Sequence, residues 1–263
     1  MRIEKKGNRR IISVVRVSHA PLLILVSLAL VACSKGNDAP TDSRALPKST
    51  LGDTSAATGQ SATAPSGGKK ARVVILGTSL TAGLGLDPSE AYPALLQQLA
   101  DSAKFNVNIV AAGLSGETSA GALRRASWVL DQPADAVVLE VGANDGLRGV
   151  NPDSTQANIE AVVDLIHKKY ASARVVLVQM EAPPNFGRDY TTRFHNAYSG
   201  VSRSRTIELL PFLLDSVAGI ASLNQGDGIH PNKTGSHIVA RNMLRALTPL
   251  FTTLSADTKT STP

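Results

Sequence analysis

The chain contains a single cysteine, Cys33, which excludes an internal disulfide and any metal site built from a cysteine cluster. It also lacks H-E-x-x-H, so no sequence pattern marks a metal centre. Gly77 to Gly85 is glycine-rich and follows an apolar run, yet it contains neither Gly-Lys-Ser/Thr nor G-x-G-x-x-G. Phosphate-loop and dinucleotide chemistry are therefore not indicated. Ser79 lacks the second glycine of G-x-S-x-G, which argues against the strained nucleophile elbow built on that motif. Long apolar runs are also missing: the longest, Pro21 to Ala32, is too short to span a bilayer as a permanent helix.

Basic charge is plentiful, but only at one end. Of 27 Lys and Arg, six lie in residues 1–32 (Arg2, Lys5, Lys6, Arg9, Arg10, Arg16), with Glu4 as the one acid there among 21. The rest of the chain carries 21 minus 20, or +1, which is no field for nucleic acid. A basic n-region followed by a short apolar stretch reads as a signal peptide over 1–32. Leu30-Val31-Ala32-Cys33 resembles a bacterial lipoprotein lipobox. That resemblance implies cleavage before Cys33, lipidation of Cys33, and a membrane partner through the lipid anchor. The alternatives are an ordinary signal peptide with an incidental cysteine and an uncleaved N-terminal anchor. Ser34 in place of Asp resembles the outer-membrane sorting pattern, so the expected location is the bacterial cell envelope, anchored to the outer membrane and facing the periplasm.

Residues 33–70 are rich in Ser, Thr, Ala, Gly, Pro and Asp; they cannot bury enough apolar surface to offset the entropy of ordering and read as a disordered linker. A similar disordered tail is expected over 252–263. Between them, 71–251 alternates strand and helix signals as one domain. Strands are expected at Arg72 to Leu76, Val107 to Gly113, Ala136 to Gly142, Arg174 to Met180 and Ile207 to Leu210. Helices are expected to open at Ser89 and Glu90, to run from Thr118 to Gln132, to be capped by Asp153 or Ser154, and to run from Tyr190 to Ser204. A long C-terminal helix carries Val239, Met243, Ala246, Leu247 and Leu250 on one face. Such alternation gives an α/β fold with a parallel sheet covered on both faces.

The chemistry sits in four loops. Gly77-Thr78-Ser79, Ala112-Gly113-Leu114-Ser115-Gly116 and Gly142-Ala143-Asn144-Asp145-Gly146 each follow a strand, and Gly226-Asp227-Gly228-Ile229-His230-Pro231-Asn232 precedes the last helix. Loops at the C-terminal ends of parallel strands share one edge, so these residues converge on one crevice. Taken singly, Ser79 could be a helix cap, Asn144-Asp145-Gly146 an ordinary turn, and His230 a surface histidine, as His167, His195 and His237 are read to be. Their joint placement favours a serine nucleophile with a base and an oxyanion site.

GTSLTAGLG, AAGLSGETSAG, GANDGLRG, DGIHPN and the MEAPPNFG loop resemble the SGNH (GDSL) hydrolases in their arylesterase and thioesterase/lysophospholipase branch. The resemblance implies a single three-layer α/β/α domain with a flavodoxin-like five-stranded parallel sheet. It implies a serine esterase without metal or cofactor, a monomer, acting on a small-molecule or lipid ester. By position, Ser79 is the nucleophile, His230 the general base and Asp227 its orienting carboxylate. The oxyanion hole comprises the N–H groups of Ser79 and Gly113 and the Asn144 amide, with Asp145 bracing its loop. Two positions depart from the family pattern: Thr78 stands for the usual aspartate and Ala111 for the usual asparagine. The alternatives are a carbohydrate or peptidoglycan O-acetyl esterase and a non-catalytic envelope-binding lipoprotein.

Overall fold

The computed structural model describes residues 69–260. The signal segment, Cys33 and all but the last two residues of the linker lie outside the described residues. Within them, five strands form one parallel sheet: β1 (Ala71–Gly77), β2 (Val107–Gly113), β3 (Ala136–Glu140), β4 (Arg174–Val178) and β5 (Glu208–Leu210), in the order β2-β1-β3-β4-β5. This is the flavodoxin-like order expected, with its direction reversing beside β1. β1 after Arg72 and β3 before Glu140 are uncharged and wholly buried because both faces are covered, whereas β2 is an edge strand with one half-open face.

The helices are α1 (Ser79–Ala82), α2 (Tyr92–Ser102), α3 (Ser119–Val129), α4 (Ala143–Arg148), α5 (Pro152–Lys169), α6 (Arg188–Arg205) and α7 (Lys233–Thr260). α2 packs with α7, while α3, α5 and α6 pack together as the other helical layer. In α5 Ile159, Val162, Val163 and Ile166, spaced at the period of one helical face, are fully buried, while Tyr170, the next on that face, caps the helix half-buried.

Three local expectations change. Ser89 and Glu90 lie in a 3₁₀ turn, Pro88–Glu90, and α2 begins only at Tyr92. A helix opened at Ser89 would need an N–H from Pro93 to Ser89, which proline lacks; in the first turn of α2 that N–H is not required. α5 is capped by Asn151, whose side chain accepts from the Asp153 N–H at 3.0 Å, not by Asp153 or Ser154. Pro152 is preorganised for the first helical position and so sets the cap one residue earlier. Finally, residues 252–260 are not a disordered tail. They continue α7, because Phe251, Leu254 and Ser255 extend its buried face. The Ser255 hydroxyl accepts from the Asn106 N–H at 2.8 Å, tying the helix to the turn before β2.

Candidate active site

β1 ends at Gly77 and the chain turns at once into α1, which places Ser79 at its first residue with only 7% of its surface exposed. Gly77 is required here: a methyl group would fall on the Thr81 hydroxyl and the Glu140 carboxylate. The loop after β5 returns to the same edge of the sheet. An isolated antiparallel bridge between Asn224 and Pro231 closes it, the Gln225 N–H donates to the His230 carbonyl at 2.7 Å, and Gly228 makes its tight turn at φ +70°. Asn232 then caps α7 by accepting from the Gly235 N–H at 3.1 Å.

That loop is folded around Asp227. One carboxylate oxygen accepts from the N–H groups of Ile229 and His230 at 2.9 and 3.0 Å, and the other lies 2.6 Å from His230 Nδ1. The backbone N–H of His230, its ring, and the N–H of Ile229 lower the Asp227 pKa to about 2. An ionised carboxylate can only accept, so Nδ1 carries the proton and Nε2 of the neutral ring is left as an acceptor. Nε2 lies 2.9 Å from Ser79 Oγ, in position to receive the hydroxyl proton.

The predicted oxyanion donors are placed less uniformly. Ser79 opens α1, and Asn144 lies on α4 beside it, lining the same groove as Ser79 and His230. One N–H of the Asn144 amide donates to the Glu117 carbonyl at 3.0 Å, which fixes the amide's orientation. Gly113 closes β2 opposite Gly77, and its lack of a Cβ lets the α1 backbone at Thr81 and Ala82 pass directly over it. Asp145 is buried and accepts from the Ser119 N–H and hydroxyl at 2.8 and 2.5 Å and from Thr155 at 3.2 Å. It thereby joins α3, α4 and α5 behind Asn144.

Sequence reasoning missed the groups that hold these loops. Glu140, fully buried at the end of β3, accepts from the Thr78 N–H and hydroxyl, each at 2.8 Å, and from the Thr81 N–H and hydroxyl at 3.2 and 2.8 Å. Burial raises its pKa, with these bonds opposing the shift. The Tyr92 hydroxyl completes the cluster at 2.8 Å from Thr81 Oγ1. Thr78, at the position where the family pattern has aspartate, is thus a neutral partner to a buried acid. Arg125 bridges the Glu117 carboxylate at 2.7 Å and the carbonyls of Gly77 and Ala112 at 3.1 and 2.9 Å, so it clamps the ends of β1 and β2. An aromatic row, Phe186, Tyr190, Phe194 and Tyr198, backs α4; Tyr190 and Tyr198 donate to the carbonyls of Val150 and Val141, both at 2.8 Å. The one advance signal was the four-residue spacing of Tyr190, Phe194 and Tyr198 on a helix.

A groove of about 510 Å³ opens beside Ser79 and His230. Its walls are largely apolar, formed by Leu147, Met180, Ala182, Pro183, Phe212 and Ile229, with Glu181 as the one acidic side chain. A preformed Ser–His–Asp relay at the C-terminal edge of an open α/β sheet, beside an apolar groove, defines a class: the α/β hydrolytic enzymes that use serine.

Residues 75–238 match the model of the GDSL-like lipase/acylhydrolase family. The chain is 36% identical over 180 residues to esterase TesA of Pseudomonas aeruginosa, covering 68% of this chain and 89% of that one. It is also 36% identical over 179 residues to the thioesterase 1/protease 1/lysophospholipase L1 of Escherichia coli, covering 68% and 84%. Among solved structures, the psychrotrophic esterase EstA from Pseudoalteromonas sp., inhibited by monoethylphosphonate, superposes with a TM-score of 0.66 at 34% identity, covering 69% of this chain and 98% of that one. The chain belongs to the GDSL (SGNH) hydrolase family. It is a serine hydrolase of carboxylic esters.

Proposed function

We propose that the enzyme cleaves acyl esters with an apolar acid part, including aryl esters, thioesters and lysophospholipids, through an acyl-enzyme on Ser79. The observation that carries this reading is the Ser79–His230–Asp227 relay opening into an apolar groove of about 510 Å³. Ser79 Oγ attacks the ester carbonyl carbon while His230 Nε2 takes its proton, and Asp227 stabilises the resulting imidazolium. The Ser79 and Gly113 N–H groups and the Asn144 amide share the negative charge of the tetrahedral oxygen. Collapse breaks the bond to the alcohol or thiol, which leaves with the proton from Nε2. Water then repeats the sequence to release the acid and regenerate Ser79.

The groove also bears on the alternative substrates. A sugar ester needs a wall of hydrogen-bonding groups around its ring, whereas Leu147, Met180, Pro183 and Phe212 offer apolar contact. Hydrolysis of p-nitrophenyl acetate, butyrate and octanoate by residues 34–263 tests this, since all described core and site residues lie inside that span. A rise in kcat/KM from acetate to octanoate is expected, and Leu147→Asp on the groove wall is expected to reverse that preference. Preference for acetylated glycans over every p-nitrophenyl ester would overturn the reading. The exported, Cys33-anchored form and its envelope location belong to the same proposal and rest on the sequence from Leu30 to Cys33.

A further inference from the structure

Seven large apolar side chains are notably exposed in the described residues: Leu84, Leu114, Trp128, Leu147, Phe186, Ile220 and Ile229, at 38 to 75% of their surface. Six of them share one edge of the molecule. Leu84 follows β1 and α1, Leu114 follows β2, Leu147 lies on α4 after β3, and Phe186 follows β4. Ile220 and Ile229 lie in the long segment between β5 and α7. Every strand's C-terminal connection therefore contributes at least one, all on the edge of the sheet that carries Ser79. Leu147 and Ile229 also line the groove itself, Leu84 lines a small pocket beside His230, and Phe186 packs over Gly149. Scattered apolar residues are normal on a protein surface, but their gathering on one edge is not.

We infer that this rim is a docking surface for a phospholipid bilayer, which the enzyme meets with its active-site mouth. Three observations select that occupant. The rim is continuous with the groove, so an acyl ester embedded in a bilayer passes from one apolar medium to another without crossing water. The exposed charges on the same connections are mixed, Asp87, Arg148, Arg188 and Asp189 among them, which gives no single-sign field to attract an oppositely charged macromolecule. The third observation is where the chain enters. β1 begins at Ala71 on the edge opposite Ser79, so residues 33–68 join the domain on the far side from the rim. Those 36 residues reach at most about 125 Å, well beyond the ~40 Å width expected of a domain this size. A domain held at Cys33 has enough chain to turn its mouth to the membrane, and the rim supplies the reason for that orientation. The inference extends the proposed function; its core, the rim, stands without the Cys33 anchor.

Co-sedimentation of residues 34–263 with phosphatidylcholine vesicles tests it. Wild-type protein is expected to partition onto the vesicles, and the double variant Leu114→Ser, Ile220→Ser to do so about tenfold less or weaker still. Neither residue lines the groove, so hydrolysis of p-nitrophenyl acetate in solution is expected to be unchanged. Trp128 is the control: it ends α3 at the opposite edge and is 75% exposed, so Trp128→Ser is expected to partition like wild type. Equal partitioning of the double variant and wild type would overturn the inference, as would a loss confined to Trp128→Ser. A wild-type dimer that the double substitution converts to monomer would assign the rim to a second copy instead. Binding that appears only when phosphatidylglycerol is added would replace apolar docking with electrostatics. Inactivity on p-nitrophenyl acetate with vesicle binding intact would contradict the esterase reading and leave this one standing.

Discussion

Glu140 connects the nucleophile turn to β3 through four accepted hydrogen bonds, and two of those donors are backbone N–H groups with no other partner at hand. Glu140→Ala would orphan them and open a cavity, at an expected cost of about 3 kcal/mol. Glu140→Gln can keep its carbonyl toward the Thr78 and Thr81 N–H groups while its amide donates to the Thr78 hydroxyl, so it should be far better tolerated. The sign of the pH dependence follows from burial. The folded state holds the Glu140 proton above the ordinary 4.5, so it binds more protons than the unfolded chain. Stability from this group is complete below that pH and falls as pH rises through the raised value. Urea melts from pH 4.5 upward should therefore show wild type losing ground to Glu140→Gln, and parallel curves would contradict the assignment. At this scale the triad was legible because Ser79, Asp227 and His230 lie in short motifs whose spacing is itself the geometry. Glu140 was not legible: it is one acid ending an apolar strand, and its partners are 59 and 62 residues away in sequence.

Elements were readable where their periodicity was strong and their ends were not. The stripe of α5 and the apolar runs of β1 and β3 needed only local sequence, since burial on one or both faces leaves a period. β3 and β4 stop two residues short of the apolar run in each case, because the run continues into the loop that lines the site: Val141 hands its carbonyl to Tyr198 and Met180 becomes groove wall. The end of α7 was misjudged for a different reason. Its last two turns are mostly polar, and their place is decided by Phe251, Leu254 and Ser255 meeting the turn before β2, a contact spanning about 150 residues that no local window contains. A chain ending at Phe251 should lose the Leu254 burial and the Ser255 bond. We expect about 2–4 kcal/mol of destabilisation from those losses, read as a lower urea midpoint with p-nitrophenyl ester hydrolysis retained below the transition. An unchanged midpoint would return residues 252–260 to the status of a tail.

For the whole molecule, the order β2-β1-β3-β4-β5 puts the reversal of the sheet beside β1 and so puts Ser79 in the crevice where open α/β sheets bind ligands. Topology, not any single motif, is what brings residues 79, 144, 227 and 230 together, and it was foreseeable because five strand–helix alternations allow few right-handed arrangements. Cys33→Ala should move the protein from the membrane to the soluble fraction with its N-terminus differently cleaved, whereas a protein that stayed in the membrane fraction with an uncleaved N-terminus would contradict lipidation at Cys33. Covalent catalysis by Ser79 is tested by p-nitrophenyl butyrate turnover together with intact-mass detection of a fluorophosphonate adduct, on wild type beside Ser79→Ala. One adduct per wild-type chain is expected, located on Ser79, and in the mutant no adduct and a kcat lower by about 10³-fold or more. A folded Ser79→Ala protein that still turned over the ester at the wild-type rate, or took up the probe elsewhere with loss of activity, would contradict it.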